Sequence, residues 1–118
     1  MADAVVIQEE GGEWKPHEFA PGIKSKALLS QKNDGAQVSI FLIQTTEGGT
    51  LSVPEHSHED SEDIAYVLSG RAKMHIEGLG EIELKQGTFV RVPKKVKHRV
   101  YDIEPNFVVL NLFSPATV

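Results

Sequence analysis

The sequence contains no cysteine. Disulfides, thiolate zinc sites and thiol catalysis are therefore excluded, whatever the fold. No apolar run approaches the ~20 residues that a membrane-spanning helix needs. No window of about 11 or more residues carries a helical hydrophobic period. The first stretch of the chain lacks a basic start followed by a long apolar run, so no signal peptide is expected. Positive charge is also short: 12 Lys and Arg against 17 Asp and Glu leave a net charge of −5. Neutralising nucleic-acid phosphates takes a basic face, so no nucleic-acid partner is expected. The one basic cluster, Lys94, Lys95, Lys97 and Arg99, is interrupted by Val96 and His98 and reads as outward cations on a strand or turn. There is no phosphate loop, no dinucleotide fingerprint and no internal repeat. These absences point to a soluble, cytoplasmic protein with no membrane partner.

What is present is strand upon strand. The 118 residues suit one domain, a size that buries roughly two-thirds of its unfolded surface. Residues 1–22 hold Gly11, Gly12, Pro16, Pro21 and Gly22 and read as an irregular N-terminal arm, with Trp14 as its anchor. Residues 23–118 read as a β domain. Its candidate strands are 23–29, 38–45, 52–56, 63–68, 72–76, 80–84, 89–92, 98–102 and 107–113. Turn residues separate them: Asn33-Asp34-Gly35, Gly48-Gly49, Ser69-Gly70, Gly78, Gln86-Gly87, Pro93 and Glu104-Pro105-Asn106. Many short strands at this spacing predict an all-β sandwich or barrel. Ala72, Met74 and Ile76 alternate with Lys73 and His75, the period of a half-buried strand. Residues 64–68 and 107–110 are instead apolar on both faces. A barrel covers only one face, so the other is expected to meet a second subunit, as a homodimer.

The chemistry-bearing residues are histidines. On an extended strand His56 and His58 project from one face, about 7 Å apart at the backbone. Two imidazoles at that spacing suit a metal about 2.0–2.2 Å from each nitrogen. The acidic run Glu59, Asp60, Glu62 and Asp63 offers a carboxylate nearby. His98 offers a third imidazole on a later strand, and reaches the same ion only if the sheet curls back on itself.

These stretches resemble the two motifs of the cupin superfamily. His56-x-His58 is followed after four residues by Asp63 and after six more by Gly70. Gly87 is followed after five residues by Pro93, after four by His98 and after three by Asp102. The resemblance spans roughly residues 36–113. It implies a double-stranded β-helix, the jelly-roll barrel, with a metal in its mouth. The chain departs from the family pattern in four places. Gly49 stands one residue early, Asp63 replaces Glu, Lys95 replaces the inner Gly of the second motif, and Asp102 replaces Asn. Lysine at 95 suggests a turn that does without positive φ. Asp63 is taken as the carboxylate ligand and Glu62 kept as the alternative. Neighbouring strand residues face opposite ways, so only one of them can point at the ion.

The expected centre is therefore His56, His58, Asp63 and His98 around one divalent transition metal: Fe, Mn, Ni, Zn or Cu. Gln44 and Asn111 are polar positions in apolar strands, and with Tyr101 they are candidate pocket-lining residues. His75 and His17 are read as lying outside the site. Three histidines and one carboxylate leave open positions on a six-coordinate ion. The resemblance then implies a small metalloenzyme of the dioxygenase, isomerase or lyase type, acting on an oxygen-rich small molecule. The alternative is a binding or sensing module with a structural metal. The ending Asn111-Leu112-Phe113-Ser114-Pro115 is similar to that of short cupins linked to uronate breakdown.

Overall fold

The structure, a computed structural model, describes residues 4–17, 20, 22–45 and 52–118. Among the described residues ten strands follow one another: β1 (Lys15–Pro16), β2 (Lys24–Leu29), β3 (Ser39–Thr45), β4 (Val53–His56), β5 (Glu62–Ser69), β6 (Arg71–Ile76), β7 (Gly80–Lys85), β8 (Phe89–Val92), β9 (His98–Tyr101) and β10 (Phe107–Ser114). They form two antiparallel sheets. One runs β1-β2-β3-β10-β5-β8 and the other β4-β9-β6-β7. Chain neighbours are mostly not sheet neighbours, because the chain crosses between the sheets as it winds. The result is the all-β double-stranded β-helix that the motifs imply. Among the described residues no helix is long and apolar enough to cross a membrane.

Period-2 alternation decides which side chains meet inside. Val67, Val90, Val92 and Val109 of the larger sheet pack against Ala72, Met74, Ile76 and Leu84 of the smaller one. A fully buried Val or Leu contributes roughly 1.5–3 kcal/mol, so this interior is what holds the sheets face to face. On β5, Asp63 and Val67 are buried while Tyr66 and Leu68 are exposed. Register carries the same parity to β10, where Val109 lies opposite Val67, Asn111 opposite Ala65 and Phe113 opposite Asp63.

Three features depart from the sequence reading. The Asn33-Asp34-Gly35 turn belongs to a single helical turn, α1 (Gln31–Asp34). Ser30 caps it by accepting from the Asn33 amide at 3.0 Å, and Gly35 closes it at φ +69°. One turn is too short to show a helical period. The arm is not wholly irregular: its Lys15 and Pro16 pair with Ser25 and Lys24 of β2, and a 3₁₀ turn spans Glu9–Gly11. The Lys26 ammonium lies 4.7 Å from the Trp14 ring centroid and donates to the Glu9 carbonyl. Lastly, Lys95 adopts φ +67° despite its side chain. The second motif thus keeps the turn that glycine serves in the family. The Gly48-Gly49 turn lies outside the described residues.

Candidate metal centre

β4 and β9 lie side by side with His56 opposite His98. His58 follows two residues later, beyond the strand, and its carbonyl accepts from the Lys95 amide at 2.8 Å. That bond ties the loop carrying His58 to the turn leading into His98. Asp63 arrives from the facing sheet, on β5. The barrel therefore closes three elements onto one point. One donor atom from each of His56, His58, Asp63 and His98 lies within 4.8 Å of the others.

The ring nitrogens are sorted by backbone contacts. His56 Nδ1 lies 2.8 Å from the Pro54 carbonyl, and His98 Nδ1 lies 3.0 Å from that of Val96. A carbonyl only accepts, so each Nδ1 carries a proton and Nε2 is the nitrogen turned toward the other donors. His98 Nε2 is 3.1 Å from Asp63 Oδ2. His58 Nε2 is 3.3 Å from the same oxygen, yet it is buried without an aligned hydrogen bond. On the carboxylate's other side, the Asn111 amide donates to Asp63 Oδ1 and to the Ile64 carbonyl. Asp63 and His98 are buried. Burial alone would push the Asp63 carboxyl up, but its contacts with His58, His98 and Asn111 outweigh this and hold it well below the usual carboxylate range. Burial alone would push His98 down; the bond to Asp63 overrides it and raises the imidazole above its ordinary value. His56 is lowered, chiefly by burial, with His98 and His58 adding repulsion.

This donor set fits a divalent metal. A buried imidazole nitrogen without an aligned partner, two imidazoles oriented by their Nδ1 contacts, and a carboxylate kept ionised are what such an ion requires. Four protein donors leave room on a six-coordinate ion.

The remaining candidates divide. Asn111 lines the cavity beside the site, but Gln44 and Tyr101 do not. Gln44 sits between Ile43 and Thr45, both of which line that cavity, so parity turns it outward. The Tyr101 hydroxyl donates instead to Glu81. Glu62 also faces away and pairs with Arg91. His75 is opposite Glu81 and Arg99, outside the cluster. His17, expected in an exposed arm, is half-buried and lines the cavity. Phe113 was not singled out from the sequence. Its ring stands 4.8 Å from that of His58 and 5.8 Å from that of Phe41. The signal was there: Phe113 falls two residues after Asn111, hence on its face.

The cavity holds about 360 Å³ between the sheets, with the four donors at one end.

A two-sheet jelly roll with histidines and a carboxylate gathered at one end of the cavity defines a barrel protein able to hold a metal. The chain belongs to the cupin family: residues 42–109 match the Cupin domain. It is 32% identical over 98 residues to the pectin degradation protein KdgF of Dickeya dadantii (strain 3937), covering 83% of each chain. Among solved structures it resembles KdgF from Halomonas sp., with 24% identity, a TM-score of 0.78 and 94% of both chains covered. It also resembles a predicted oxalate decarboxylase from Thermotoga maritima, with 19% identity, a TM-score of 0.77 and 94% and 99% covered. Likenesses at these identities carry the fold.

Proposed function

We propose that the protein is a metal-dependent cupin enzyme, in which His56, His58, Asp63 and His98 hold one divalent transition metal and a small molecule presents oxygen atoms to it. The observation that carries the reading is the convergence of these four donors from three separate elements within 4.8 Å. A bound metal would supply Lewis acidity to a substrate oxygen or to water. The chain's own residues do the rest. The Pro54 and Val96 carbonyls fix two imidazole tautomers, Asn111 holds the carboxylate in place, and the Phe113 ring limits water beside His58. KdgF of Dickeya dadantii, named for pectin degradation, supports an enzymatic role.

A second reading, a binding module with a structural metal, also has an observation behind it. Among the described residues lining the cavity, His17 has the one titratable side chain outside the four donors, so few acid–base catalysts face a ligand.

The test is elemental analysis of the protein as isolated, followed by oxygen-uptake and small-substrate turnover screens. About one divalent transition metal per chain is expected, with His98→Ala losing it on dialysis and His75→Ala keeping it. Equal loss in both variants sinks the ligand assignment. Metal without turnover of any substrate favours the binding module.

We also propose a homodimer. Tyr66, Leu68 and Phe89 lie exposed on the outer face of the larger sheet, with Tyr66 opposite Phe89 and Leu110. A contiguous apolar patch of that kind is what a second copy covers.

A further inference from the structure

The cavity beside the metal centre is chemically lopsided. The four metal donors and Asn111 sit at one end, and most of the remaining wall is aliphatic, with Ile43, Val67, Met74, Leu84, Val100 and Val109; His17, Ser25 and Thr117 are the other polar residues of the lining besides Thr45. Among the described lining residues there is no Lys and no Arg, and residues 1–3, 18–19, 21 and 46–51 contain none either. At the far end Thr45 Oγ1 lines the same cavity, buried and without a hydrogen-bond partner. Thr45 is 1% exposed. On β3 it stands opposite Phe107, while Phe41 stands opposite Asn111. Four residues of strand therefore separate the two levels, about 13 Å. A buried hydroxyl with no partner is rare in a settled interior. Here it points to a ligand atom.

We propose that the ligand is an elongated, uncharged and largely apolar molecule with a pair of oxygen donors at one end, and not a polyhydroxylated sugar acid. This rests on the metal-centre reading above. The donor pair meets the metal, the aliphatic body fills the barrel, and one hydrogen-bonding atom at the far end reaches Thr45. Apolar walls with a few placed polar groups fix orientation and select by shape. A sugar acid fits badly for two reasons. Its hydroxyls would lose water and find few partners on aliphatic walls, roughly tenfold in affinity for each bond left unmade. Away from the metal end, a carboxylate would find no Lys or Arg to pair with. The oxygen-rich molecule expected from the sequence thus describes the head of the ligand and not its body.

The test uses the full chain reconstituted with one metal, its occupancy set by elemental analysis. Alkyl hydroxamic acids from aceto- to octanohydroxamic acid serve as probes, because each offers the same two oxygens and a body of increasing length. D-galacturonate is the comparator. Affinity is expected to rise about fourfold per methylene until the cavity is full, with galacturonate weaker than the longest probe. A flat series, or galacturonate the tightest binder, overturns the inference. Val109→Phe fills the middle of the barrel and should flatten the series for longer probes. If that variant does not fold, the wild-type series alone decides. The two readings fail differently. A protein that takes up no metal fails at the elemental analysis, before any probe is added. A metal-loaded protein with a flat series refutes the apolar body alone.

Discussion

Asp63 works under two constraints, a buried position and a charge. Its carboxylate stays ionised because His58, His98 and Asn111 all contact it. Asp63→Ala should therefore weaken metal binding by more than the 10–100-fold typical of an outer-sphere partner. Glu62→Ala, which removes only a pairing with Arg91, should leave it nearly intact. Competitive metal titration of the two variants separates them, and a large loss in the Glu62 variant alone would reverse the assignment. Asn111→Ala leaves all four donors but frees the carboxylate, so a loss of about 10–100-fold is expected by the same titration.

Protons compete with the metal at His98, whose raised imidazole stays charged above its ordinary value of 6.5. Apparent metal affinity should therefore begin to fall, as pH is lowered, already above that value. In the metal-free protein the signs differ by residue. His98, raised, contributes stability below about 6.5 that is lost as pH rises through its folded value. His56, lowered, contributes stability above about 6.5 that is lost as pH falls through its folded value. These two groups together place a stability maximum near pH 6.5. Thermal melts of metal-free protein from about pH 5.5 to about pH 8 check this. A melting temperature still rising at the alkaline end would contradict the His98–Asp63 pairing.

At the scale of elements, two turns hold the site in register, and they solve the same backbone problem differently. Gly70 joins β5 to β6 at φ +79°, and a Cβ there would come within 2.6 Å of Phe107 Cα. Gly70→Ala therefore meets both the left-handed penalty and a backbone clash, and should destabilise by about 2–4 kcal/mol in a denaturant titration. Lys95 already bears the left-handed penalty, at φ +67°. Lys95→Gly should relieve it and gain about 0.5–1 kcal/mol, net of the greater freedom of glycine in the unfolded chain. A loss of stability there would mean that the lysine side chain contributes more than its backbone costs.

For the whole molecule, the outer face of the larger sheet is the open question of assembly. Phe89 is 68% exposed and Tyr66 and Leu68 each 39%, a clustered apolar patch of the kind that marks interaction sites. Leu68→Glu combined with Phe89→Glu should yield a monomer while leaving the inward face and its donors untouched. Light scattering reads the outcome. A wild-type mass that stays monomeric at every concentration refutes the dimer.

The sequence by itself determined the strands and the three histidines that gather, with Asp63 taken over Glu62 as their carboxylate. Alternation in 72–76, the apolar run 64–68, glycine and proline between strands, and the spacings from His56 to Gly70 and from Gly87 to Asp102 are all local, and local order is written directly along the chain. The short α1 turn was missed because one turn has no period, and the left-handed Lys95 because side-chain chemistry argued against it. Tertiary structure alone decided the rest. Asp63 faces the histidines and Glu62 does not, because the register of β5 against β10 and β8 fixes which side of that strand is inside. Gln44 turns outward because Ile43 and Thr45 face the cavity, Tyr101 because His98 and Val100 do, and His17 reaches the cavity from the arm. The apolar cavity ending at Thr45 is a property of two sheets facing each other. No single strand carries it, since each side chain lining it looks, in sequence, like ordinary core.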